Sequence, residues 1–216
     1  MSRASISEDR GLALLTADDR KILSVGISTA GTAEILMARM HYGRSVVATT
    51  LDAAGAAQTR CTVADAGLTD QIEVKVEDVA GGLLYSSGEF DFVYARLVLH
   101  YLTQQQLSKA LMDLQRVLRK GGRIFVVVRS ADCPEAMQPE NTTDEHTHLT
   151  SYTSFATGKA EQRYFHTRAS IAEAVQKAGF TLVSRAQYKE ALSHAFDRQD
   201  GRWIDNNLIE VVARKD

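Results

Sequence analysis

Two cysteines and two prolines are all that a chain of 216 residues contains, and neither charge sign is in excess. Cys61 and Cys133 stand far apart, without CxxC or Cys/His ligand spacing, so they read as ordinary reduced thiols. The formal net charge is -2 and no long basic run occurs. Proteins that grip nucleic acid advertise a basic face, because neutralising phosphates drives their affinity. No nucleic acid is therefore indicated, and a small-molecule partner is the expectation. No segment approaches the ~20 apolar residues that span a bilayer. Met1 to Arg20, with Glu8, Asp9, Asp18 and Asp19, lacks the apolar centre of a signal peptide. The expectation is a cytoplasmic protein with no membrane association. What is present is ordinary: 44% hydrophobic and 24% charged residues, suited to a single domain over residues 1–216 that needs no disulfide or metal for stability.

From Lys21 onward, short apolar runs alternate with helical patterns. Ile22 to Val25 reads as a buried strand ending in Gly26, followed by a helix carrying Ala33, Ile35, Leu36 and Met37 that ends near Tyr42-Gly43. Ser45 to Thr50 is a second strand, rich in β-branched residues, and Asp52 then suits the N-cap of an alanine-rich helix running to about Ala66. Ile72 to Val76 alternates at period two, as a third strand does. A weak helix around Val79 to Tyr85 leads to a fourth strand at Phe90 to Tyr94. Thr103 caps a helix with Leu107, Leu111, Leu114 and Leu118 on its core face; Gly121-Gly122 stops it, and Arg123 to Arg129 is the fifth strand.

Strands alternating with helices imply right-handed crossovers and a parallel sheet covered on both faces. Ligands of such sheets bind beyond the carboxyl ends of the strands. The residues just after each strand are therefore the functional candidates. Residues 131–166 break the rhythm: they are polar, hold Pro134 and Pro139, and are too long for a passive connection. A lid or substrate-shaping insertion is expected there. A short helix over Ile171 to Ala178, closed by Gly179, precedes strands at Phe180 to Val183 and Leu208 to Val212, expected as an antiparallel pair.

Gly26-Ile27-Ser28-Thr29-Ala30-Gly31 lies directly between a strand and a helix. Glycine permits a positive φ and close backbone approach, and a helix N-terminus offers N–H groups to an anion; a tight turn would also need glycine for steric reasons alone. The run from Lys21 to Ala30 resembles the first motif of the class I S-adenosylmethionine-dependent methyltransferases. Glu77-Asp78-Val79 stands where that family keeps the acid facing the adenine amino group. Glu89 to Arg96 is similar to its fourth-strand motif, Leu118 to Arg123 to its Leu-Lys-Pro-Gly-Gly turn, and Ala178-Gly179-Phe180 to its Ala-Gly-Phe. These pieces recur in order from about Lys21 to Arg214. The resemblance implies a Rossmann-like, doubly wound α/β fold of seven mostly parallel strands with an antiparallel last strand. It also implies S-adenosyl-L-methionine as cofactor, a small-molecule methyl acceptor, and a cofactor site at Gly26, Ile27, Ser28, Thr50, Leu51, Asp52, Asp78, Val79, Ala95 and Arg96.

The sequence departs from the family pattern at three places. Ser24 replaces the first-motif acid, Ser28 the central glycine and Ala30 the third, although Gly31 follows. At the end of strand two the acid that grips the ribose hydroxyls is Thr50, with Asp52 two residues on as a substitute or a helix cap. Arg96 suits a cofactor carboxylate, a substrate acid or a surface ion pair. His100, titrating near neutrality when unperturbed, is the candidate general base, or else packs at the entrance of the following helix. Tyr152, Phe155, Tyr164, Phe165 and His166 either line an acceptor pocket or anchor the insertion. Glu145 to His148 has no third well-spaced metal ligand and reads as solvated loop.

Three functions compete. One is methyl transfer to an O, N or C nucleophile of a small molecule. Another is a catalytically impaired binding or partner subunit of the same fold, which would engage a protein partner or a second copy. The third is a nicotinamide-dependent oxidoreductase, against which Ser28 replaces the glycine that lets backbone approach a pyrophosphate.

Overall fold

The computed structural model describes residues 5–27, 29–193 and 203–216. Five strands, β1 (Lys21–Val25), β2 (Ser45–Thr50), β3 (Ile72–Val76), β4 (Phe90–Arg96) and β5 (Leu118–Arg129), run parallel. Then β6 (Thr142–Thr143), β7 (Thr150–Thr153) and β8 (Ala160–Arg163) form a small antiparallel sheet. Finally β9 (Thr181–Ser193) and β10 (Trp203–Arg214) return to the large sheet, whose order is β3-β2-β1-β4-β5-β10-β9. β10 pairs antiparallel with both β5 and β9. The seven-stranded, mostly parallel Rossmann-like sheet with an antiparallel last strand is the expected one.

Alternation along each strand divides the core in two. Leu23, Val93 and Val126 face helices α4 (Gln104–Val117) and α5 (Arg168–Lys177), burying Leu107, Leu111, Leu114, Ile171 and Val175. Ile22, Phe92 and Phe125 face the opposite layer of α1 (Ile6–Ala13), α2 (Thr32–Arg39) and α3 (Ala53–Asp65), with Leu12, Ile35, Met37 and Val63. Both faces are covered by apolar clusters, so the central strands are mostly apolar. Caps fall where the sequence places them: the Asp52 carboxylate accepts the Ala54 N–H, and Thr103 closes a capping box with Gln106.

Four local expectations need correction. Val79 to Tyr85 is not helical: Asp78 accepts the Ala80 N–H at 2.9 Å, and Gly82 sits at φ +102°, so local turn bonds and glycine win over a weak helix. Gly121-Gly122 does not stop α4, which ends at Val117; Leu118 is already extended and pairs with Phe90. The glycine pair instead shapes β5, since a Cβ on Gly122 would lie 2.9 Å from the carbonyl oxygens of Arg119 and Asp91. The helix after β1 ends at Arg39 rather than near Tyr42-Gly43. The last two strands run 13 and 12 residues, far beyond the apolar stretches that revealed them.

The insertion is tied down at named points. Cys133, Tyr152 and Phe165 form a small core of their own, with the two rings edge-on at 5.2 Å. Arg129 and Glu135 make a buried ion pair at its root. Backbone N–H groups of Tyr164 and Gln104 donate to the carbonyls of His100 (2.8 Å) and Thr147 (3.0 Å). Tyr152 and Phe165 thus anchor the segment, whereas Phe155 is exposed.

Candidate active site

The carboxyl ends of β3, β2, β1 and β4 lie side by side, as the register pairs Thr50 with Val76, Val25 with Thr49 and Ser24 with Tyr94 show. At the end of β1 the chain turns sharply: the Gly26 and Ile27 N–H groups both donate to the Thr49 carbonyl at 2.9 Å. Gly26 has φ +79°, and a Cβ there would lie 2.7 Å from Cβ of Val98. Only glycine meets both demands. Ala30 (φ 55°) and Gly31 (φ 80°) complete the left-handed entry into α2. Across from this turn Leu97 holds φ 57°, a strained value for a branched residue, directly before the Val98 that roofs Gly26. The side chain of Ile27 is buried in the α1–α3 layer. Ser28 lies outside the described residues.

Beneath the turn sits an acid that the sequence does not reveal. Glu34, on α2, is fully buried, and its Oε1 accepts the Ser24 hydroxyl at 2.6 Å. Ser24 is the position where the methyltransferase motif keeps its acid, so α2 supplies from the side the carboxyl that β1 lacks. Burial lifts the Glu34 carboxyl to about 7, with Glu8 adding to the rise and the Ser24 hydrogen bond and the Arg96 charge opposing it. Its Oε2 and the Thr59 hydroxyl are buried and unpartnered among the described residues. A glutamate amid Thr32 to Arg39 looks like a solvated helix face in sequence; only the approach of α2 to β1 turns it inward.

Along the same edge, the Thr50 hydroxyl accepts the Asp52 N–H at 3.1 Å, and Asp52 is exposed while capping α3 through Oδ1. Leu51 is 69% exposed, an apolar surface between two polar neighbours. Asp78 is exposed after β3; Val79 instead faces the core. Glu77 beside it accepts the Tyr85 hydroxyl at 3.0 Å, and burial with that acid pushes the Tyr85 phenol up. Ala95 is wholly buried. Arg96 is turned under the N-terminal segment, donating to Ser7 (2.7 Å) and Ser5 (2.5 Å), with Glu190 of β9 at 3.7 Å. The structure therefore brings Gly26, Thr50, Leu51, Asp52 and Asp78 to one edge, and commits Arg96 to a buried cluster behind it.

His100 lies in a 3-10 turn, Leu99–Tyr101, beyond β4 and is 1% exposed. Burial pulls its imidazole well below the ordinary 6.5, and Arg163, Arg129 and His166 add to the fall. It is neutral near pH 7. The insertion covers it.

The model of the methyltransferase domain family matches residues 22–122, from β1 into β5. No curated protein matches the chain in sequence. Among solved structures, a S-adenosylmethionine-dependent methyltransferase from Methanosarcina mazei is similar, with 17% identity, a TM-score of 0.70, and 94% of this chain and 95% of that one covered. Geranyl diphosphate methyltransferase in complex with S-adenosylmethionine gives 14% identity and a TM-score of 0.66, over 97% and 84% of the two chains. The cyclase SpnF gives 17% and 0.67, over 96% and 80%. The chain is thus similar to a methyltransferase domain over residues 22–122 and shares its fold with S-adenosylmethionine-dependent methyltransferases. An antiparallel β10 inserted between β5 and β9 is also not the all-parallel order of nicotinamide-binding sheets.

Proposed function

We propose that the protein is a cytoplasmic enzyme that transfers a methyl group from S-adenosyl-L-methionine to a nucleophile of a small molecule. The observation that carries this reading is the chemistry of the carboxyl edge. Two exposed carboxylates, Asp52 and Asp78, flank the apolar Leu51 in front of the Gly26 turn. Carboxylates accept hydroxyl and amino hydrogens strongly, and an apolar side chain suits a flat base, so the donor set fits an adenosyl group. Asp52 would hold the ribose hydroxyls, Asp78 the adenine amino group, and Leu51 one face of the base. Gly26 and Ile27 would let the amino-acid portion approach the backbone. The cofactor, when bound, supplies an already electrophilic methyl group.

The chain's own residues have the remaining tasks: orient the acceptor, exclude water and take up a proton. Residues 131–166 act as the lid, closing over the region beyond β4 and β5. His100 is the base candidate, held neutral by burial beneath that lid. Calorimetry with S-adenosylhomocysteine tests the cofactor site, with saturable binding expected. Asp78→Ala should weaken it by about 1–3 kcal/mol, the loss of one hydrogen bond to a charged acceptor. Absence of binding at millimolar concentration would remove the proposal, and an unchanged affinity in the variant would remove Asp78 from it.

A further inference from the structure

The residue that ends β4 is held from outside the parallel strands. Arg96 donates from Nε to the Ser7 hydroxyl at 2.7 Å and from Nη2 to the Ser5 hydroxyl at 2.5 Å, and Nη2 lies 3.7 Å from Glu190 Oε1. The Ser5 hydroxyl donates in turn to Glu190 Oε1, and the Ser7 N–H donates to Glu190 Oε2 at 3.0 Å. Ser5, Ser7, Arg96 and Glu190 are all buried. The start of α1, the end of β4 and the outer half of β9 therefore meet at one guanidinium. Separating a buried charge from its partners is costly, so this clasp holds the Arg96 side chain in one place.

The next two residues connect the clasp to the Gly26 turn. Leu97 has φ 57°, a left-handed value that is unfavourable for a branched side chain and persists only where the surroundings impose it. Its N–H donates to the Val127 carbonyl at 2.8 Å, and the Val98 carbonyl accepts the Tyr101 N–H at 3.2 Å. Val98 lies directly against the turn: a Cβ on Gly26 would be 2.7 Å from Val98 Cβ and 2.8 Å from its Cγ2. A leucine released from such a φ relaxes to a negative value and swings the chain on either side of it. Clasped at Arg96 and turned into the 3-10 helix after Val98, Leu97 stays where Val98 covers Gly26. The charges of Glu8 and Arg96 also act on Glu34 beneath the same turn, so clasp and turn adjoin.

We propose that Ser7, Arg96 and Glu190 are positioning residues for the cofactor site: by fixing Arg96 they keep Leu97 left-handed and Val98 seated against the Gly26 turn. They act through the Leu97–Val98 backbone rather than by contact with the ligand. The proposal rests on the reading of the Gly26 turn as the place where S-adenosyl-L-methionine binds.

Continuity of contacts does not by itself demonstrate coupling, which a double-mutant cycle measures. Glu190→Gln removes the charge and keeps the side-chain shape. Ser7→Ala removes one acceptor of Arg96, and as the milder change it gives the same readout should Glu190→Gln fail to fold. In the full chain without ligand, the Val98 methyl and Gly26 amide NMR resonances should shift in both variants. They should stay in place in Glu173→Gln, which removes an exposed carboxylate on α5. Affinity for S-adenosylhomocysteine, measured by calorimetry, should fall about tenfold in Glu190→Gln. Glycine takes a positive φ without strain, so in a Leu97→Gly background Glu190→Gln should change the affinity by about twofold or less. Additive losses in the cycle, or Val98 and Gly26 resonances unmoved while those of residues 5–13 shift, would overturn the proposal. If the parent chain binds no S-adenosylhomocysteine while Val98 and Gly26 shift as expected, the cofactor reading fails and the clasp stands.

Discussion

Glu34 illustrates how far one side chain's chemistry depends on its neighbours. Placed on α2 yet turned under β1, its carboxyl has the Ser24 hydroxyl as donor and Glu8 and Arg96 as the charges that act on it. Its proton affinity is raised above the unfolded value, so the native chain keeps a proton that the unfolded chain releases between about pH 4.5 and about 7. Stability from this group is therefore present at low pH and lost as pH rises through that window, by about 1.4 kcal/mol per pH unit. Glu34→Gln keeps an acceptor for Ser24 and removes the titration. The variant should be more stable than the parent at pH 8 by about 1–3 kcal/mol and nearly equal at pH 4.5, measured by urea unfolding. Such a residue is not legible in sequence, because a lone glutamate on a short helix has the pattern of a solvated face. Asp52 and Gly26 were legible, because a cap and a left-handed turn restrict the residue types that can serve.

At the scale of elements, β1, β2 and β4 were legible from apolar runs, since both faces of the sheet are covered and few polar residues, such as Ser24 and Asp91, interrupt them. The antiparallel β9–β10 pair was legible at its apolar stretches but not in its length: its outer half pairs residues such as Asp205, Asn206 and Asn207, whose polarity hides a strand. α1 was missed for a related reason. Ser5, Ser7 and Glu8 are buried, the two serines as polar partners of a cluster with Arg96 and Glu190, and they give no apolar periodicity. What fixes α1 on the sheet is Gly11, where a Cβ would lie 2.5 Å from the Tyr94 ring and 2.6 Å from that of Phe125. Gly11→Val should lift the helix and weaken the Arg96 cluster with it. A fall in Tm together with faster amide exchange over residues 5–13 would be the outcome; unchanged exchange would show that the sheet yields instead.

Over the whole molecule, the three buried titrating sites described above oppose one another. His100 and His166 have proton affinities lowered below the ordinary 6.5, so on acidification the unfolded chain binds protons that the native chain refuses. Their stability is complete above pH 6.5 and is lost as pH falls, about 1.4 kcal/mol per pH unit for each ring. Arg129, Arg163 and His148 face these rings and act in the same direction. Glu34 acts oppositely over about pH 4.5 to 7. Two protons against one leave a net loss towards acid. Tm should fall between pH 6.5 and 4.5; His166→Gln should flatten the profile, and a slope unchanged in that variant would mean that the ring is not buried neutral. The site edge of the sheet was legible from the order of strands and helices. The small sheet of β6, β7 and β8 was not, because its strands are short and polar and only Tyr152 of β7 ties them to the small core, against Cys133 and Phe165 outside the sheet.

The hydrogen bond between Ser24 and Glu34 also makes the two positions exchangeable only as a pair. Restoring an aspartate at 24, as a designer guided by the family motif would do, sets two carboxyl groups against each other in a dry pocket, where one must stay protonated. Ser24→Asp alone should unfold at lower temperature than the parent, and Ser24→Asp with Glu34→Ser should recover most of the loss. Descent within this fold can thus relocate an acid from strand to helix, but the intermediate with both acids or neither stands in a valley between the two solutions.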